Sequence, residues 1–451
     1  MYEGRSKFDN LVWDKNEDAQ EGVYKSYFSF ATIHKLEALA TKMLGKKVTY
    51  LRPMHKGSFN FLYRMKVEGL DGYVMFRLLW AHSHQFPDEK TLQETATARM
   101  VMRETKIATA EVLCYGLSRN ANMGSLAVPG ETKPTEGIQL DPAVPEGRLE
   151  GYFHGVAVLM LQLFEPQFPR IGSLDEDEHG SISVGRRPIT MNMNSGARLA
   201  NIPRAVYPSQ DKTYGTADEW YTELARIHMA QLVFQHNDLV LSVDDCRNRY
   251  VARQLFHRLA KSGLLSTFGF ADDSWSAQSK TRVSACPAPS TSGSFRLWCD
   301  DWGTSNILLN DADEVTAIID WEFAYIAPTQ FILDPPLWLL LDDPEMWKGG
   351  IDAWAQCYDA CLPIWLRGRV GRRRFWLDYA ARKSWAFDTI YWKEGEVATE
   401  DLWKTRVNLL DHDQVAAMEP FVEMKLEEPK ERIMVQWTDE QVKERMAKVL
   451  F

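Results

Sequence analysis

The stretch that decides the fold is Phe295–Phe323, FRLWCDDWGTSNILLNDADEVTAIIDWEF. Its segments FRLWC, NILL and VTAIID have the composition of short strands, separated by a tight glycine-containing loop and by an acidic turn. Three polar residues, Asp301, Asn306 and Asp320, stand among these strongly apolar neighbours. They occur where a strand begins or ends and not along a solvated face, which indicates a function.

The three polar residues are expected to converge. Strands joined in this way pair antiparallel, so the last strand brings Asp320 back beside Asn306, and Asp301 precedes Asn306 by five residues on a loop. Two oxygen ligands beside one more carboxylate suit Mg²⁺, a hard cation that takes one or two protein groups together with substrate phosphates. The remaining carboxylate would accept a proton from an attacking hydroxyl.

The sequence DWGTSNILL followed by IIDWE resembles the catalytic and metal-binding loops of the aminoglycoside phosphotransferase family, particularly its large fungal branch of small-molecule kinase-like proteins. The resemblance implies that Asp301 is the catalytic base and that Asn306 and Asp320 hold the metal. It implies ATP and Mg²⁺ as cofactors and the hydroxyl of a small molecule as phosphoryl acceptor. The implied fold is α+β and bilobal protein-kinase-like: an N-terminal antiparallel sheet lobe with one main helix and a larger, mostly helical C-terminal lobe.

Two residues of the catalytic loop depart from the family pattern. Cys299 stands where the family usually has a histidine that braces the loop, so a weaker brace is expected without loss of chemistry. Asp300 directly precedes Asp301, and strand alternation predicts that its side chain points the other way. Asp300 is therefore not expected to be the base.

Upstream, the loop His55–Asn60 lies between two strands of a predicted sheet. Gly57 and Ser58 are assigned to nucleotide binding, because a loop with a glycine lets backbone amides approach phosphate oxygens. Taken alone, a single glycine favours a plain β-turn. Its position upstream of the DWGTSN loop, in the order that a kinase lobe requires, reverses that preference.

Arg77 lies on the strand after this loop, where the kinase pattern has a lysine that holds the α- and β-phosphates and pairs with a helix glutamate. Arginine keeps the charge but differs in geometry. Glu94, on the predicted helix Asp88–Arg103, is the expected partner of Arg77. The alternatives are a cation at the sheet edge and a solvated helix charge.

Two lobes are predicted, residues 1–164 for nucleotide binding and residues 165–451 for the helical lobe with the catalytic and metal-binding loops. Residues 1–30 are predicted to form an arm, 117–150 a loop insertion, and Val156–Phe164 a buried strand that leads to the hinge. The last lobe is rich in tryptophan, expected mostly in the core. A basic cluster at Arg367–Arg374 is expected to be a solvated turn, and the acids Asp342, Asp343 and Glu345 are candidates for the acceptor pocket.

Composition limits the function classes. A formal net charge of −10 argues against broad binding of nucleic acid or anionic membranes. The six cysteines are scattered without a metal-binding spacing, and no apolar run reaches membrane-spanning length, so a reducing cytoplasmic location is expected. The chain is expected to be a monomer or weak homodimer.

Two other functions stay open on the sequence. Cys299 and Arg77 are compatible with a nucleotide-binding pseudokinase that acts as a scaffold. The same fold also supports ATP-dependent adenylyl transfer or ligation of a carboxylate.

Overall fold

The structure is a computed structural model that describes residues 8–116, 126–128, 145–276, 286–310, 312, 314–334, 344, 350–361, 372–393 and 401–450. Within these residues, no helix is both long enough and apolar enough to cross a membrane. The described strands form one five-stranded sheet and three two-stranded sheets.

Two helices precede the large sheet, α1 at Asn10–Tyr27 and α2 at Phe30–Leu44. The sequence predicts α2, but the prediction of an arm for residues 1–30 is wrong in the described part. Asp9 caps the first turn of α1, and Tyr27 packs at its other end into the core beneath the sheet. The helix escapes detection because it buries few residues along its length, so it lacks a strong apolar period.

The large sheet is antiparallel and confirms the alternating pattern read from the sequence. Its strands are β1 Val48–Lys56, β2 Asn60–Val67, β3 Val74–Leu79, β4 Glu111–Cys114 and β5 Leu126–Val128. Their order is β1-β2-β3-β5-β4. The strand β5 belongs to the predicted loop insertion 117–150, which is corrected at these residues, because three residues are too few to show a period. The rest of 117–144 lies outside the described residues.

The main helix of the sheet lobe is α3, Pro87–Glu104, close to its predicted bounds. It lies between the sheet and the rest of the protein and is buried on most sides, including the charged residues Glu89, Lys90 and Glu94. Charged side chains are stable in such a place only when they are paired. This helix therefore carries polar contacts between the two halves of the molecule.

The predicted strand at Val156–Phe164 is wrong, because these residues complete the helix α4, Glu146–Phe164. The same helix corrects the predicted loop insertion at residues 146–150. Val156 and Leu163 are buried, whereas Leu161 is 66% exposed, as a helix at the surface requires. A short apolar run does not distinguish a strand from a helix by its period. The lobe boundary at Phe164 stays a prediction.

The second half of the chain is mostly helical. It begins with the predicted hairpin, β6 Ser173–Glu176 and β7 Ile182–Arg186, and carries two further strand pairs built from β8 Arg296–Cys299, β9 Ile307–Leu309, β10 Val315–Ile318 and β11 Ala324–Ala327. Its helices are α5 Met191–Leu199, α6 Ala217–Phe234, α7 Val243–Lys261, α8 Thr329–Ile332, α9 Gly350–Cys361, α10 Arg372–Arg382, α11 Ser384–Lys393, α12 His412–Glu427 and α13 Asp439–Ala447. Thr216 and Ser242 cap α6 and α7 as predicted. A sheet lobe followed by this larger helical lobe is the α+β, bilobal protein-kinase-like fold that the motif implies.

The tryptophan-rich region packs inward where it is described. Trp354 and Trp376 are buried, and Trp385, Trp392, Trp403 and Trp437 pack against the cores; Trp338, Trp347 and Trp365 lie outside the described residues. The prediction of a solvated turn is wrong for Arg374. Its side chain is fully buried, and two of its nitrogens bind the Asp378 carboxylate at 2.7 and 2.8 Å. A charge cluster in sequence does not reveal that one member has a buried partner on the next helical turn. Arg367 and Arg369 lie outside the described residues.

Candidate active site

The loop from Cys299 to Asn306, the candidate catalytic loop, is closed by Asn306. The chain leaves β8 at Cys299, passes Asp301 and makes one turn of 3₁₀ helix before β9. The Asn306 side chain donates a hydrogen bond to the carbonyl of Asp301 at 2.9 Å, and its backbone N–H donates to the carbonyl of Gly303 at 3.1 Å. Asp301 and Asn306 are thus held on one small loop.

The hairpin β9–β10 brings Asp320 to the same place. Its strands pair antiparallel, with Ile318 opposite Ile307, and the N–H of Ile319 donates to the carbonyl of Asn306 at 2.9 Å. Asp320 follows directly and adopts a left-handed conformation with φ of 65°, which aspartate tolerates better than most residues. The predicted antiparallel pairing beside Asn306 is confirmed. The roles of Asp301, Asn306 and Asp320 stay predictions.

Asp300 is turned away from this group, as strand alternation predicts. It accepts hydrogen bonds from the indole N–H of Trp298 at 2.8 Å and from the N–H of Met191, at the start of α5, at 3.1 Å. Burial raises the pKa of Asp300, and nearby Arg382 opposes the shift. Asp300 therefore connects the loop that carries Asp301 to the start of α5.

Cys299 is buried and its thiol donates to the carbonyl of Glu322 at 3.2 Å. Burial, followed by the charge of Asp301, raises the pKa of the thiol well above its usual value. The neutral thiol therefore supplies a hydrogen-bond brace between the strand before Asp301 and the segment after Asp320. A thiol bonds more weakly than an imidazole, which agrees with the expectation of a weaker brace.

On the sheet side, Arg77 and Glu94 form the predicted ion pair. Arg77 also contacts the segment that follows β10, where its Nη2 lies 2.7 Å from Asp320 Oδ1 and 3.0 Å from Glu322 Oε1. Burial alone would lower the pKa of Arg77, but Asp320, Glu94 and Glu322 raise it above its usual value. Arg77 is therefore a permanent cation shared by the two lobes, and its role toward phosphates stays a prediction.

Two further charged residues, Glu322 and Lys90, belong to this group and were not predicted. Lys90 Nζ lies 3.1 Å from Glu94 Oε2 and 3.0 Å from Glu322 Oε2, and Asn60 donates to Glu322 Oε1 at 3.2 Å. Two features of the sequence point to them. Glu322 is a charged residue between two aromatic residues of the decisive stretch, and Lys90 precedes Glu94 by one helical turn.

The two carboxylates that share Arg77 titrate differently. Burial raises the pKa of Asp320, with Arg77 opposing and Glu322 and Glu94 adding to the shift. Burial acts in the same direction on Glu322, but Lys90 and Arg77 outweigh it and hold the pKa of Glu322 well below its usual value. Glu322 is therefore the ionised, fixed member of the pair.

His84 completes the surroundings of Glu322. Its Nε2 lies 3.2 Å from Glu322 Oε2. Burial and the charge of Lys90 lower the pKa of His84 to about 4. The imidazole is neutral at physiological pH, so the contact is not an ion pair.

Gly57 and Ser58 form the exposed turn between β1 and β2. The N–H of Gly57 donates to the carbonyl of Asn60 at 2.8 Å. A Cβ added to Gly57 would lie 3.5 Å from that oxygen, an ordinary contact, so this turn has no steric need for glycine. Nucleotide binding by Gly57 and Ser58 stays a prediction.

The residues fit a divalent cation by their chemistry. Asp320 offers a partly exposed carboxylate, and the amide oxygen of Asn306 remains after its nitrogen has bonded Asp301. Both are the hard oxygen donors that Mg²⁺ prefers. Among the described residues, no three His, Cys, Asp or Glu side chains gather into a metal site. A cation here would complete its shell with phosphate and water.

A small cavity lies beside the catalytic loop. Its volume is about 30 Å³, and Trp298, Trp302, Trp321, Asp300 and Asp334 are among the residues that line it. This volume suits a water molecule and not a substrate. The predicted acceptor residues Asp342, Asp343 and Glu345 lie outside the described residues.

Comparisons with known proteins give structural matches alone. No family model matches the chain, and no curated protein matches it. Among solved structures, the GDP and kanamycin complex of APH(2″)-IIia is 12% identical and has a TM-score of 0.40, covering 88% of this chain and 99% of that one. An ethanolamine kinase from Plasmodium vivax is 11% identical with a TM-score of 0.34, covering 84% and 82%. A macrolide 2'-phosphotransferase type I is 13% identical with a TM-score of 0.28, covering 87% and 97%.

These TM-scores lie below 0.5, so the fold and the candidate site rest on the geometry of the chain itself. The chain is similar, at low identity, to these two phosphotransferases and to this kinase.

Proposed function

We propose that this chain is a phosphotransferase that uses ATP and Mg²⁺ to move the γ-phosphoryl group to a hydroxyl of a small molecule. One observation carries the proposal. Asn306 bonds the carbonyl of Asp301 with its side chain and the N–H of Ile319, directly before Asp320, with its own carbonyl. A carboxylate suited to act as base and two oxygen ligands therefore share one rigid frame.

Each residue then has a role that follows from its place. Asp301 orients the acceptor hydroxyl and takes its proton, a contribution of ~10²–10⁴-fold in rate. Asn306 and Asp320 would hold Mg²⁺, which neutralises phosphate charge when bound. Arg77, anchored by Glu94 and in contact with Asp320, would meet the α- and β-phosphates. Most of the rate would come from positioning and charge neutralisation.

The test separates Asp301 from its neighbour Asp300. Asp301→Asn should lower turnover with Mg²⁺-ATP across an acceptor screen by about 10²–10⁴-fold, while nucleotide-induced stabilisation and the melting temperature change little. Asp300→Asn is the matched control, because it alters an adjacent carboxylate that braces α5. It should lower the melting temperature and keep turnover. Equal turnover in the wild type and Asp301→Asn would overturn the assignment.

A second candidate is a nucleotide-binding pseudokinase. The observation that favours it is the ion pair between Arg77 and Asp320, which occupies one oxygen of the proposed metal ligand. Stabilisation by Mg²⁺-ATP without formation of product would select this function. The same assay decides the chemistry, since phosphoryl transfer releases ADP whereas adenylyl transfer or ligation through an adenylate gives pyrophosphate or AMP.

The proposal extends to surroundings and partners. A negative net charge of −10 supports a protein that binds neither nucleic acid nor membranes. No disulfide forms among the described cysteines, which supports a cytoplasmic location. We also propose a monomer or weak homodimer, which sedimentation would test.

A further inference from the structure

A buried carboxylate stands two residues after Asp320. The Glu322 side chain is 2% exposed, and it is surrounded by donors from three elements of the sheet lobe. Asn60 of β2 donates to it at 3.2 Å, Arg77 of β3 lies at 3.0 Å, and Lys90 of α3 lies at 3.0 Å. The helical lobe thus inserts one anion into a cationic pocket of the sheet lobe.

Arg77 is shared between this buried anion and the partly exposed carboxylate of Asp320. A single nitrogen, Nη2, lies 2.7 Å from Asp320 Oδ1 and 3.0 Å from Glu322 Oε1. The Asp320 side chain is 28% exposed and Arg77 is 12% exposed. The group is therefore layered, with Asp320 outermost, Arg77 behind it and Glu322 deepest.

The charges show which contact can be given up. The cations Arg77 and Lys90 face three carboxylates, Glu94, Glu322 and Asp320. Without Asp320, two cations remain with two anions. Arg77, Lys90, Glu94 and Glu322 together carry no net charge. Asp320 can therefore move away from Arg77 without leaving an unpaired buried charge.

We propose that Glu322 is a positioning residue that retains Arg77 when Asp320 turns to a metal-bound nucleotide, and that it thereby sets the Mg²⁺ requirement of the site. This inference rests on the proposed nucleotide binding. Glu322 touches neither substrate nor metal and acts through Arg77. If Glu322 loses its charge, Arg77 pairs more strongly with Asp320 and competes with the cation.

The experiment measures the Mg²⁺ concentration that gives half of the ATP-induced rise in melting temperature, which needs no turnover. Glu322→Gln should raise this concentration by about tenfold, within the range of coupling between groups in contact. Lys90→Met also breaks the buried network, but it leaves Glu322 with Arg77 as its cation. It should leave the Mg²⁺ requirement unchanged or lower it. A merely structural role of Glu322 would lower both melting temperatures without separating the two variants in Mg²⁺, and that result would overturn the inference.

A double-mutant cycle tests whether Glu322 acts through Arg77. In an Arg77→Met background, Glu322→Gln should cause no further shift in the Mg²⁺ requirement. An undiminished shift would show that the charge acts through space, and the positioning role would be wrong. If Glu322→Gln does not fold, Glu322→Asp replaces it and should give a smaller shift of the same sign.

The outcomes separate this inference from the proposed function. If Mg²⁺-ATP does not stabilise the wild type, both are wrong. If it stabilises the wild type and Glu322→Gln to the same extent and at the same Mg²⁺ concentration, only the inference is wrong.

Discussion

Replacing Asp9 by alanine should undock α1, which spans the two lobes. The Asp9 carboxylate is buried, and its Oδ1 accepts the N–H of Val12 at 3.1 Å, capping the helix. Its Oδ2 accepts the backbone N–H of Asn237 at 3.1 Å and the Asn237 side-chain amide at 2.8 Å. At its other end, α1 places Tyr27 in the core of the sheet. The helix thus ties the start of the chain to both lobes.

The magnitude follows from the hydrogen bonds that the substitution removes. An N-cap contributes ~1 kcal/mol, and each hydrogen bond to a charged group contributes about 1.5–3 kcal/mol. Asn237 is fully buried, so its N–H groups would lose a partner without gaining water. Because such terms are not additive, we expect a cost of about 4 kcal/mol, which is about a thousandfold in an opening equilibrium.

Hydrogen exchange over residues 10–27 measures this opening directly. The matched control is Ser29→Ala, which removes the cap of α2. The Ser29 hydroxyl accepts the N–H of Thr32 at 3.2 Å and makes no contact to the helical lobe among the described residues. It should cost ~1 kcal/mol. Equal losses of protection for the two variants would refute the view that Asp9 docks α1.

Two further predictions test packing and titration. Gly57→Ala should change the free energy of unfolding by less than about 1 kcal/mol. Gly172→Ala should lower it by ~1–3 kcal/mol or more, because the added Cβ would lie 2.5 Å from the carbonyl oxygen of Arg186. Comparable melting temperatures for the two variants would contradict this prediction. Burial, followed by the charge of Arg253, lowers the pKa of His228 to about 3. As the pH falls below ~6.5, His228 is therefore protonated in the unfolded chain but stays neutral in the folded one, and the folded state loses stability. At pH 5 this amounts to about 2 kcal/mol, and His228→Gln should remove that share from the pH dependence of urea unfolding, whereas an unchanged dependence would count against it.

Short-range features of the candidate site could be predicted from the sequence. Asp301 and Asn306 are five residues apart, and a hairpin of neighbouring strands returns the chain to Asn306 just before Asp320. Such an arrangement depends on local turns and strand pairing, which the order of apolar and polar residues specifies. The orientation of Asp300 follows from alternation along a strand for the same reason.

Other features could not be predicted locally. The helix α4 resembles a strand in sequence because its apolar run has no distinguishing period, and α1 escapes prediction because its stability comes from docking at both ends. The pair of Arg374 and Asp378 lies within one helix, but its burial depends on the packing of α10 against α6, where Arg374 also bonds Tyr221. In each case a tertiary contact outweighs local preference.

The sequence by itself determined the β9–β10 hairpin that brings Asp320 beside Asn306, because neighbouring strands pair locally. Its resemblance to the kinase pattern implied the pairing of Arg77 with Glu94, which lie on two neighbouring elements. Only the tertiary structure decided that Arg77 also binds Asp320 and Glu322, which are 243 and 245 residues away. Burial fixes these contacts, since a charge removed from water must find its partner wherever the fold places one.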